Sequence, residues 1–264
     1  MSNHPLDKPE ITNNLFYVRK TAPPTHVIAD DMKYGSVQVA DGASVGYMLY
    51  IHNSTAPLLV YFHGNGEIAT DYEGLAELYH LCNVSLLVFD YRGYGWSDGT
   101  PLTSTMLPDA EKCLLAVDSI LGQHGVVPGR PLFLKGRSLG SAPAIYLAHQ
   151  HPDKLKGLII ESGYANAPSL FRRLGIPIPD DIADDISLPI YNEAKMKHIH
   201  LPLLVIHGEQ DTLIPVDNAK ALYAASPAQD KQLVIIQGAG HNNLLYAGTA
   251  KYFDGIKKMV EKYS

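Results

Sequence analysis

The chain has 264 residues, of which 46% are hydrophobic and 18% are charged. This apolar content is enough to fill a substantial core. The formal net charge of −6 argues against nucleic acid and anionic membrane surfaces as partners, because both attract strongly basic proteins.

The sequence shows no targeting or membrane-spanning segment. Residues 1–20 lack a charged stretch followed by an apolar run, and no apolar stretch approaches the roughly 18 residues that a span requires. Cys82 and Cys113 lie in helix-like stretches with apolar neighbours. We therefore expect buried thiols and a reducing, cytoplasmic location. The spacing of cysteine and histidine predicts no metal site.

The chain begins with a segment that is rich in proline and asparagine. We expect residues 1–30 to form an arm that lies on one domain made by residues 31–264. Short β-branched runs at 36–39 and 45–51, joined by a glycine-containing turn, predict an antiparallel hairpin. The continuous apolar run 57–62 predicts a strand that is buried on both faces.

Helices and strands then alternate along the chain, which is typical of a parallel sheet with right-handed crossovers. The predicted strands are residues 84–89, 131–135, 156–161, 203–208 and 232–236. The predicted helices are residues 67–81, 104–123, 141–150, 216–225 and a last helix that ends at 262. The second of these helices is expected to bury one face, formed by Leu107, Ala110, Leu114, Leu115 and Val117.

The alternation is interrupted between residues 162 and 200, where prolines and an acidic run at 180–185 occur. An insertion at the carboxyl edge of a parallel sheet lies over the usual ligand site of such folds. We therefore predict a small cap here. Its apolar residues could line a substrate pocket or could pack the cap onto the domain, and these are Phe171, Leu174, Ile176 and Ile178.

A candidate nucleophile lies in the sequence Gly136-Arg137-Ser138-Leu139-Gly140. A strand precedes this G-x-S-x-G pattern and a helix follows it, which is the context of a nucleophile elbow. Glycines flank Ser138 because so sharp a turn leaves no room for a Cβ atom. The backbone N–H of Leu139 would lie at a helix start, where it can bind an oxyanion. For the pattern alone, a turn with a capping serine is the alternative.

A second match to the same pattern, residues 95–99, is centred on Ser97. Pro101 follows too closely for a helix to begin directly after it, so we reject Ser97 as the nucleophile. In this loop we expect Arg92 to pair with Asp90 or Asp98.

An acid and a histidine follow Ser138 in the order that the elbow predicts. Asp211 lies just beyond the strand at 203–208, with Glu209 as the alternative acid. His241 lies on the loop after the last predicted strand. Because the carboxyl ends of parallel strands lie at one edge of a sheet, Ser138, Asp211 and His241 can meet there.

The loop His63-Gly64-Asn65-Gly66 follows the strand at 57–62. The backbone N–H of Asn65 is the candidate for the second oxyanion donor, since an elbow hydrolase draws one from this position. The neighbouring glycines allow a close approach to substrate. We interpret His63 as a structural residue that braces the loop.

Together these stretches resemble the α/β-hydrolase family. Within it, the chain is similar to the serine-aminopeptidase-like and Bem-type hydrolases, which carry similar H-G-N, R-G-x-G-x-S and G-R-S-L-G-S stretches. The resemblance covers residues 36–264 and implies acyl transfer to water. It also implies an α/β fold, in which helices flank a mostly parallel central sheet.

Three functions remain open from the sequence. The first is a hydrolase of carboxylic esters or thioesters that uses a Ser-His-Asp triad and an acyl-enzyme and needs no cofactor. The second is a peptidase or aminopeptidase for short peptides, with the acidic run 180–185 holding the amino group. The third is a catalytically silent hydrolase fold that binds a ligand. The expected partner in the first two is a small acyl ester, a thioester or a short peptide.

Overall fold

A computed structural model describes residues 4–25, 30–177 and 191–264. In these residues a single sheet contains eight strands, whose bounds are β1 (Met32–Ala40), β2 (Ala43–Tyr50), β3 (Leu58–Phe62), β4 (Ser85–Phe89), β5 (Leu132–Arg137), β6 (Gly157–Glu161), β7 (Leu203–Gly208) and β8 (Lys231–Ile236). The strand order is β1-β2-β4-β3-β5-β6-β7-β8.

The pairing of these strands confirms the predicted fold class. β1 and β2 form the expected antiparallel hairpin, and β2 pairs antiparallel with β4. All pairs from β4 to β8 are parallel. Every residue of β3, β4, β6 and β7 is buried, as expected for strands that helices cover on both faces.

Helices form a layer on each face of the sheet. Their bounds are α1 (Pro9–Leu15), α2 (Ala76–His80), α3 (Thr103–Leu115), α4 (Val117–Gln123), α5 (Ser141–Gln150), α6 (Ala167–Arg173), α7 (Asn192–Met196), α8 (Asp217–Ala225) and α9 (Leu244–Tyr263). Side chains alternate along β3, so that Leu59 and Tyr61 pack with α2 and α9 while Leu58 and Val60 pack with the other helices. None of the described helices is long and apolar enough to cross a membrane.

The predicted helix at 67–81 is wrong in its first half. A 3-10 helix over Ala69–Leu75 precedes the short helix α2. Gly74 lies in this segment and is among the poorest helix formers. The carboxylate of Asp71 also accepts a hydrogen bond from the backbone N–H of Ile68 at 3.1 Å, which favours a local turn over a regular helix.

The predicted helix at 104–123 is interrupted. It divides at Ala116 into α3 and α4. Leu107 and Leu114 are buried as expected, but Leu115 is 52% exposed. Leu115 lies one residue further round the helix than Leu114, at the edge of the apolar face, so the prediction for Leu115 is wrong.

The N-terminal segment packs into the main core. Leu6, Ile11, Leu15 and Phe16 belong to the same buried cluster as residues of the sheet. Asp7 also accepts hydrogen bonds from the backbone N–H of Ser104 at 3.0 Å and from its hydroxyl at 2.5 Å. The described part of the arm therefore lies on the core, although the division at residue 30 stays a prediction.

The predicted cap lies between β6 and β7, where the structure describes α6 and α7. Ile178 and the acidic run 180–185 lie outside the described residues. The cap over residues 162–200 stays a prediction.

The turn after β5 crosses the end of β3 at very short range. A Cβ atom on Gly140 would lie 2.0 Å from the carbonyl oxygen of Phe62, and one on Gly136 would lie 2.2 Å from the carbonyl oxygen of Gly140. Both clashes involve backbone atoms, which have little freedom to move. The two glycines of the G-x-S-x-G pattern are therefore required by packing.

We expect Gly140→Ala to lower the free energy of unfolding by at least about 1–3 kcal/mol, because overpacking forces the backbone apart. Gly122→Ala is the matched control, since a Cβ there meets nothing within 4 Å. In helix α4 that change should be neutral or stabilising, by up to about 1 kcal/mol. Urea unfolding of both variants tests this, and equal stabilities would contradict the packing argument.

Candidate active site

Ser138 stands at the turn between β5 and a 3-10 helix, Ser138–Gly140, that leads into α5. Its φ is +51°, in the left-handed region that non-glycine residues seldom occupy. Such strain at a serine between a strand and a helix is the geometry of a nucleophile elbow. The hydroxyl of Ser141 donates to the carbonyl oxygen of Ser138 at 2.6 Å and holds the turn.

Three side chains that are distant in the sequence form a hydrogen-bonded chain. The Nε2 atom of His241 lies 3.0 Å from the Oγ atom of Ser138. Its Nδ1 atom lies 2.7 Å from the Oδ2 atom of Asp211. Both distances are within the range for a nucleophile, a base and an acid that orients the base.

Asp211 sits in a site that favours its charged form. Its Oδ1 atom accepts hydrogen bonds from the backbone N–H groups of Leu213 at 2.9 Å and Ile214 at 2.8 Å. Burial opposes the charge, but hydrogen bonds from His207, His241 and the Ile214 amide keep the pKa of Asp211 well below its ordinary value. Asp211 is therefore a carboxylate that can stabilise an imidazolium.

His207 is a contact of the acid that the sequence analysis missed. It is fully buried, and its Nε2 atom lies 3.2 Å from Oδ2 of Asp211 and 2.7 Å from the carbonyl oxygen of Ile214. The spacing His207-x-x-x-Asp211 at the end of β7 was the available signal. The alternative acid, Glu209, instead accepts a hydrogen bond from the backbone N–H of Gly238 at 3.2 Å.

The candidate oxyanion donors lie beside the same cleft as Ser138. Asn65 and Leu139 both line it, and within the described ranges neither backbone N–H donates to a protein acceptor. The side chain of Asn65 is committed elsewhere, since its Nδ2 atom donates to the carbonyl oxygen of Leu15 at 2.7 Å. Its Oδ1 atom accepts from the N–H of Tyr17 at 2.7 Å and from the hydroxyl of Tyr94 at 2.6 Å.

The cleft above Ser138 has a mainly apolar wall. Phe171 and Leu174 line it. Ile176 is buried in the main core and does not line the cleft, and Ile178 lies outside the described residues. Sequence reasoning missed the other lining residues, which include Asn14 and Leu15 of the arm together with Met106, Tyr164, Leu170, Leu213 and Ile214.

Ser97 and His63, which the sequence analysis rejected as catalytic residues, both form hydrogen bonds that support the fold. The hydroxyl of Ser97 accepts a hydrogen bond from the N–H of Gly46 at 2.9 Å, and Ser97 is buried. The ring of His63 lies between the carbonyl oxygen of Gly64 (2.8 Å) and the carboxylate of Asp90 (3.1 Å), where it braces the loop.

The predicted partner of Arg92 is wrong. Arg92 pairs with Asp109 through two hydrogen bonds, of 2.6 and 2.7 Å. Asp98 is engaged by Ser44 instead, and Asp90 by His63. Asp109 lies on helix α3, which packs its carboxylate next to the loop of Arg92. The sequence of the loop alone does not predict this contact.

An eight-stranded, mostly parallel sheet with a strained serine after its central strand defines an α/β hydrolase. A family model described as serine aminopeptidase, S33, matches residues 53–175 and 190–245. This match covers more than half of the chain, so the chain belongs to that family of hydrolases.

Individual relatives agree with this assignment. An uncharacterized protein of Mycobacterium tuberculosis (strain CDC 1551 / Oshkosh) is 32% identical over 233 residues, which are 85% of this chain and 77% of the relative. An alpha/beta hydrolase domain-containing protein 17C of Xenopus laevis is 28% identical over 207 residues, 76% of this chain and 60% of that protein.

A solved structure shows the same fold. The esterase Pf2001 of Pyrococcus furiosus superposes with a TM-score of 0.71 at 16% identity, over 92% of this chain and 99% of that chain.

We expect the stability contribution of Asp211 to depend on pH. Its pKa is lower in the folded than in the unfolded chain, so its contribution is fully present above about pH 4 and is lost as the pH falls through the folded pKa. Asp211→Asn should therefore lower the free energy of unfolding most at pH 7, and the deficit should shrink towards pH 3.

Urea unfolding at pH 7, 5 and 3 measures this deficit. Asp217→Asn is the matched control, because Asp217 is a carboxylate on the surface that pairs with Lys220. Its effect should stay within about 0.5 kcal/mol. A deficit of Asp211→Asn that is the same at all three pH values would contradict the prediction.

Proposed function

We propose that the protein is a serine hydrolase that cleaves small carboxylic esters or thioesters through an acyl-enzyme. The observation that carries this proposal is the chain of hydrogen bonds from Ser138 through His241 to Asp211, at 3.0 and 2.7 Å. Ser138 lines an apolar cleft that suits an acyl group or an apolar leaving group.

In the proposed mechanism, Ser138 attacks the acyl carbon of the substrate while Nε2 of His241 takes the proton of its hydroxyl. The imidazolium then gives this proton to the leaving alcohol or thiol. Asp211 holds the Nδ1–H tautomer and stabilises the positive charge. Water, activated by His241, hydrolyses the acyl-enzyme and returns the hydroxyl of Ser138. All of these steps use side chains of the chain and water, so the proposal needs no cofactor.

We assign the backbone N–H groups of Asn65 and Leu139 to the oxyanion hole. Their lack of acceptors in the described part of the chain supports this assignment, because both remain available for a developing negative charge. The loss of one such donor raises the barrier by about 3–4 kcal/mol.

The ester function is favoured over the peptidase function by the wall of the cleft. An aminopeptidase needs a carboxylate that binds the amino group of its substrate. The acidic run 180–185, which the sequence analysis proposed for this role, lies outside the described residues, so the preference for esters rests on the apolar wall of the cleft. We also propose a reducing location, since Cys82 and Cys113 are both buried free thiols.

We expect a fluorophosphonate probe to label the wild-type protein and Ser97→Ala equally, and Ser138→Ala not at all. The probe reacts only with an activated serine, whereas the hydroxyl of Ser97 accepts a hydrogen bond from the N–H of Gly46. Gel fluorescence or intact mass measures the labelling. An unlabelled wild-type protein would indicate the silent binding fold, and labelling of Ser138→Ala would move the nucleophile to another serine.

We expect turnover of p-nitrophenyl esters and no turnover of aminoacyl-p-nitroanilides. The apolar cleft accepts an acyl chain, whereas the described wall offers no partner for a charged amino group. Initial rates of p-nitrophenol and p-nitroaniline release, over a series of acyl lengths, measure both activities. Turnover of the anilides alone would favour the peptidase.

A further inference from the structure

Arg137, the residue before Ser138, joins the elbow to the loop that carries His241. Its Nη2 atom donates hydrogen bonds to the carbonyl oxygen of His241 at 3.0 Å and to the Oδ1 atom of Asn242 at 2.9 Å. The arginine side chain is only 12% exposed, and its contact with the carbonyl oxygen of His241 is partly buried. The backbone of His241 is therefore tied directly to the strand that carries the nucleophile.

The same guanidinium reaches the loop of the candidate oxyanion donor. Its Nη1 atom pairs with Oε1 of Glu67. The other oxygen of Glu67 accepts from the backbone N–H of Gly64 at 2.6 Å and from the hydroxyl of Tyr72 at 2.7 Å. Through Glu67, Arg137 thus fixes the backbone N–H of Gly64, the residue before Asn65.

A second carboxylate holds the guanidinium itself in place. Arg137 and Glu161 are direct neighbours in the register of β5 and β6, and the Nε atom of Arg137 donates to Oε1 of Glu161 at 3.2 Å. Oε2 of Glu161 accepts from Lys135 at 2.5 Å and from Tyr252 at 2.6 Å. Burial opposes its ionisation, but Lys135 and Arg137 lower the pKa of Glu161 to about 2, so it remains a carboxylate at neutral pH.

We propose that Arg137 is a positioning residue for the reaction, whose guanidinium holds the His241 loop and the Gly64–Asn65 loop in register with Ser138. This inference rests on the proposed hydrolase function. Arg137 does not line the cleft above Ser138 and therefore acts through other groups.

The elbow, the His241 loop and the Gly64–Asn65 loop all contribute to one reaction centre, so the rate depends on their relative positions. A misplacement of about 1 Å can cost about 100-fold in rate. A planar guanidinium can donate to several fixed acceptors at once, which a lysine ammonium on its flexible stem does less well. Arg137 meets both needs, since its donors reach Glu67 on one loop, His241 and Asn242 on another, and Glu161 at the end of β6.

The test measures ester hydrolysis by Arg137→Ala. We expect kcat to fall about 100-fold and KM to stay near the wild-type value, because the side chain does not line the substrate cleft. Arg137, Glu67 and Glu161 line a second cleft, between α2 and α9, which His241 also lines. This cleft gives methylguanidinium a route to the vacated position, so millimolar methylguanidinium should restore part of kcat.

Arg92→Ala is the matched control. Arg92 is also largely buried and forms a two-point ion pair, with Asp109; within the described ranges its side chain has no hydrogen bond to the elbow, the His241 loop or the Gly64–Asn65 loop. We expect a lower melting temperature for this variant, with kcat close to that of the wild type and no response to methylguanidinium.

Arg137→Lys covers the case in which Arg137→Ala does not fold. Lysine keeps a positive charge between Glu67 and Glu161, so the fold should be retained, but it cannot donate to His241 and Asn242 at the same time as to both carboxylates. We expect its kcat to lie between those of Arg137→Ala and the wild-type protein.

The outcomes separate the two proposals. A wild-type protein that hydrolyses esters while folded Arg137→Ala or Arg137→Lys is equally active overturns the positioning role alone. So does an Arg137→Ala whose lost kcat matches its lost folded fraction in circular dichroism and does not respond to methylguanidinium. A folded wild-type protein with neither turnover nor fluorophosphonate labelling overturns the proposed function, and with it this inference.

Discussion

The contact between Gly140 and the carbonyl oxygen of Phe62 sets the geometry on which the rest of the site depends. A Cβ atom would stand only 2.0 Å from that oxygen, so the turn after β5 presses directly on the end of β3. Because the turn is so close, Ser138 is forced to a φ of +51°. The strain is retained because packing on both sides determines the backbone there.

The elbow also presents chemically different groups to its two sides. Side chains alternate along β5, so that Phe133 and Lys135 face the layer of α2 and α9. Arg137 follows the same alternation and joins the charged cluster on that side. Ser138 lies past the strand end, in the turn, and faces the apolar cleft. One dipeptide thus joins an ionic network on one face of the sheet to a hydroxyl at the apolar cleft.

The sequence predicted what depends on local pattern. Continuous apolar runs identified the central strands, because burial on both faces leaves no alternation. The chain order of Ser138, Asp211 and His241 could be found because each follows such a run. The contacts that it did not predict join distant segments, such as Arg92 with Asp109 and His207 with the acid. Ile176 shows the same limit, since its apolar character suits the core and the cleft equally.

The N-terminal segment is the part for which the pattern was least informative, and its contacts show why. Residues 4–20 lie outside the family match, and much of their packing is to segments far along the chain. Yet the peptide groups of Leu15 and Tyr17 hold both ends of the Asn65 amide, while Glu67 holds the N–H of Gly64. The loop that offers a backbone donor to the cleft is therefore fixed from two sides, by the arm and by the charged cluster around Arg137. A backbone N–H is the same in every residue except proline, so the sequence at that position does not determine where it points. Its position is set by the neighbouring segments. Here these are the N-terminal arm, which lies outside the family match, and the cluster around Arg137, next to the nucleophile.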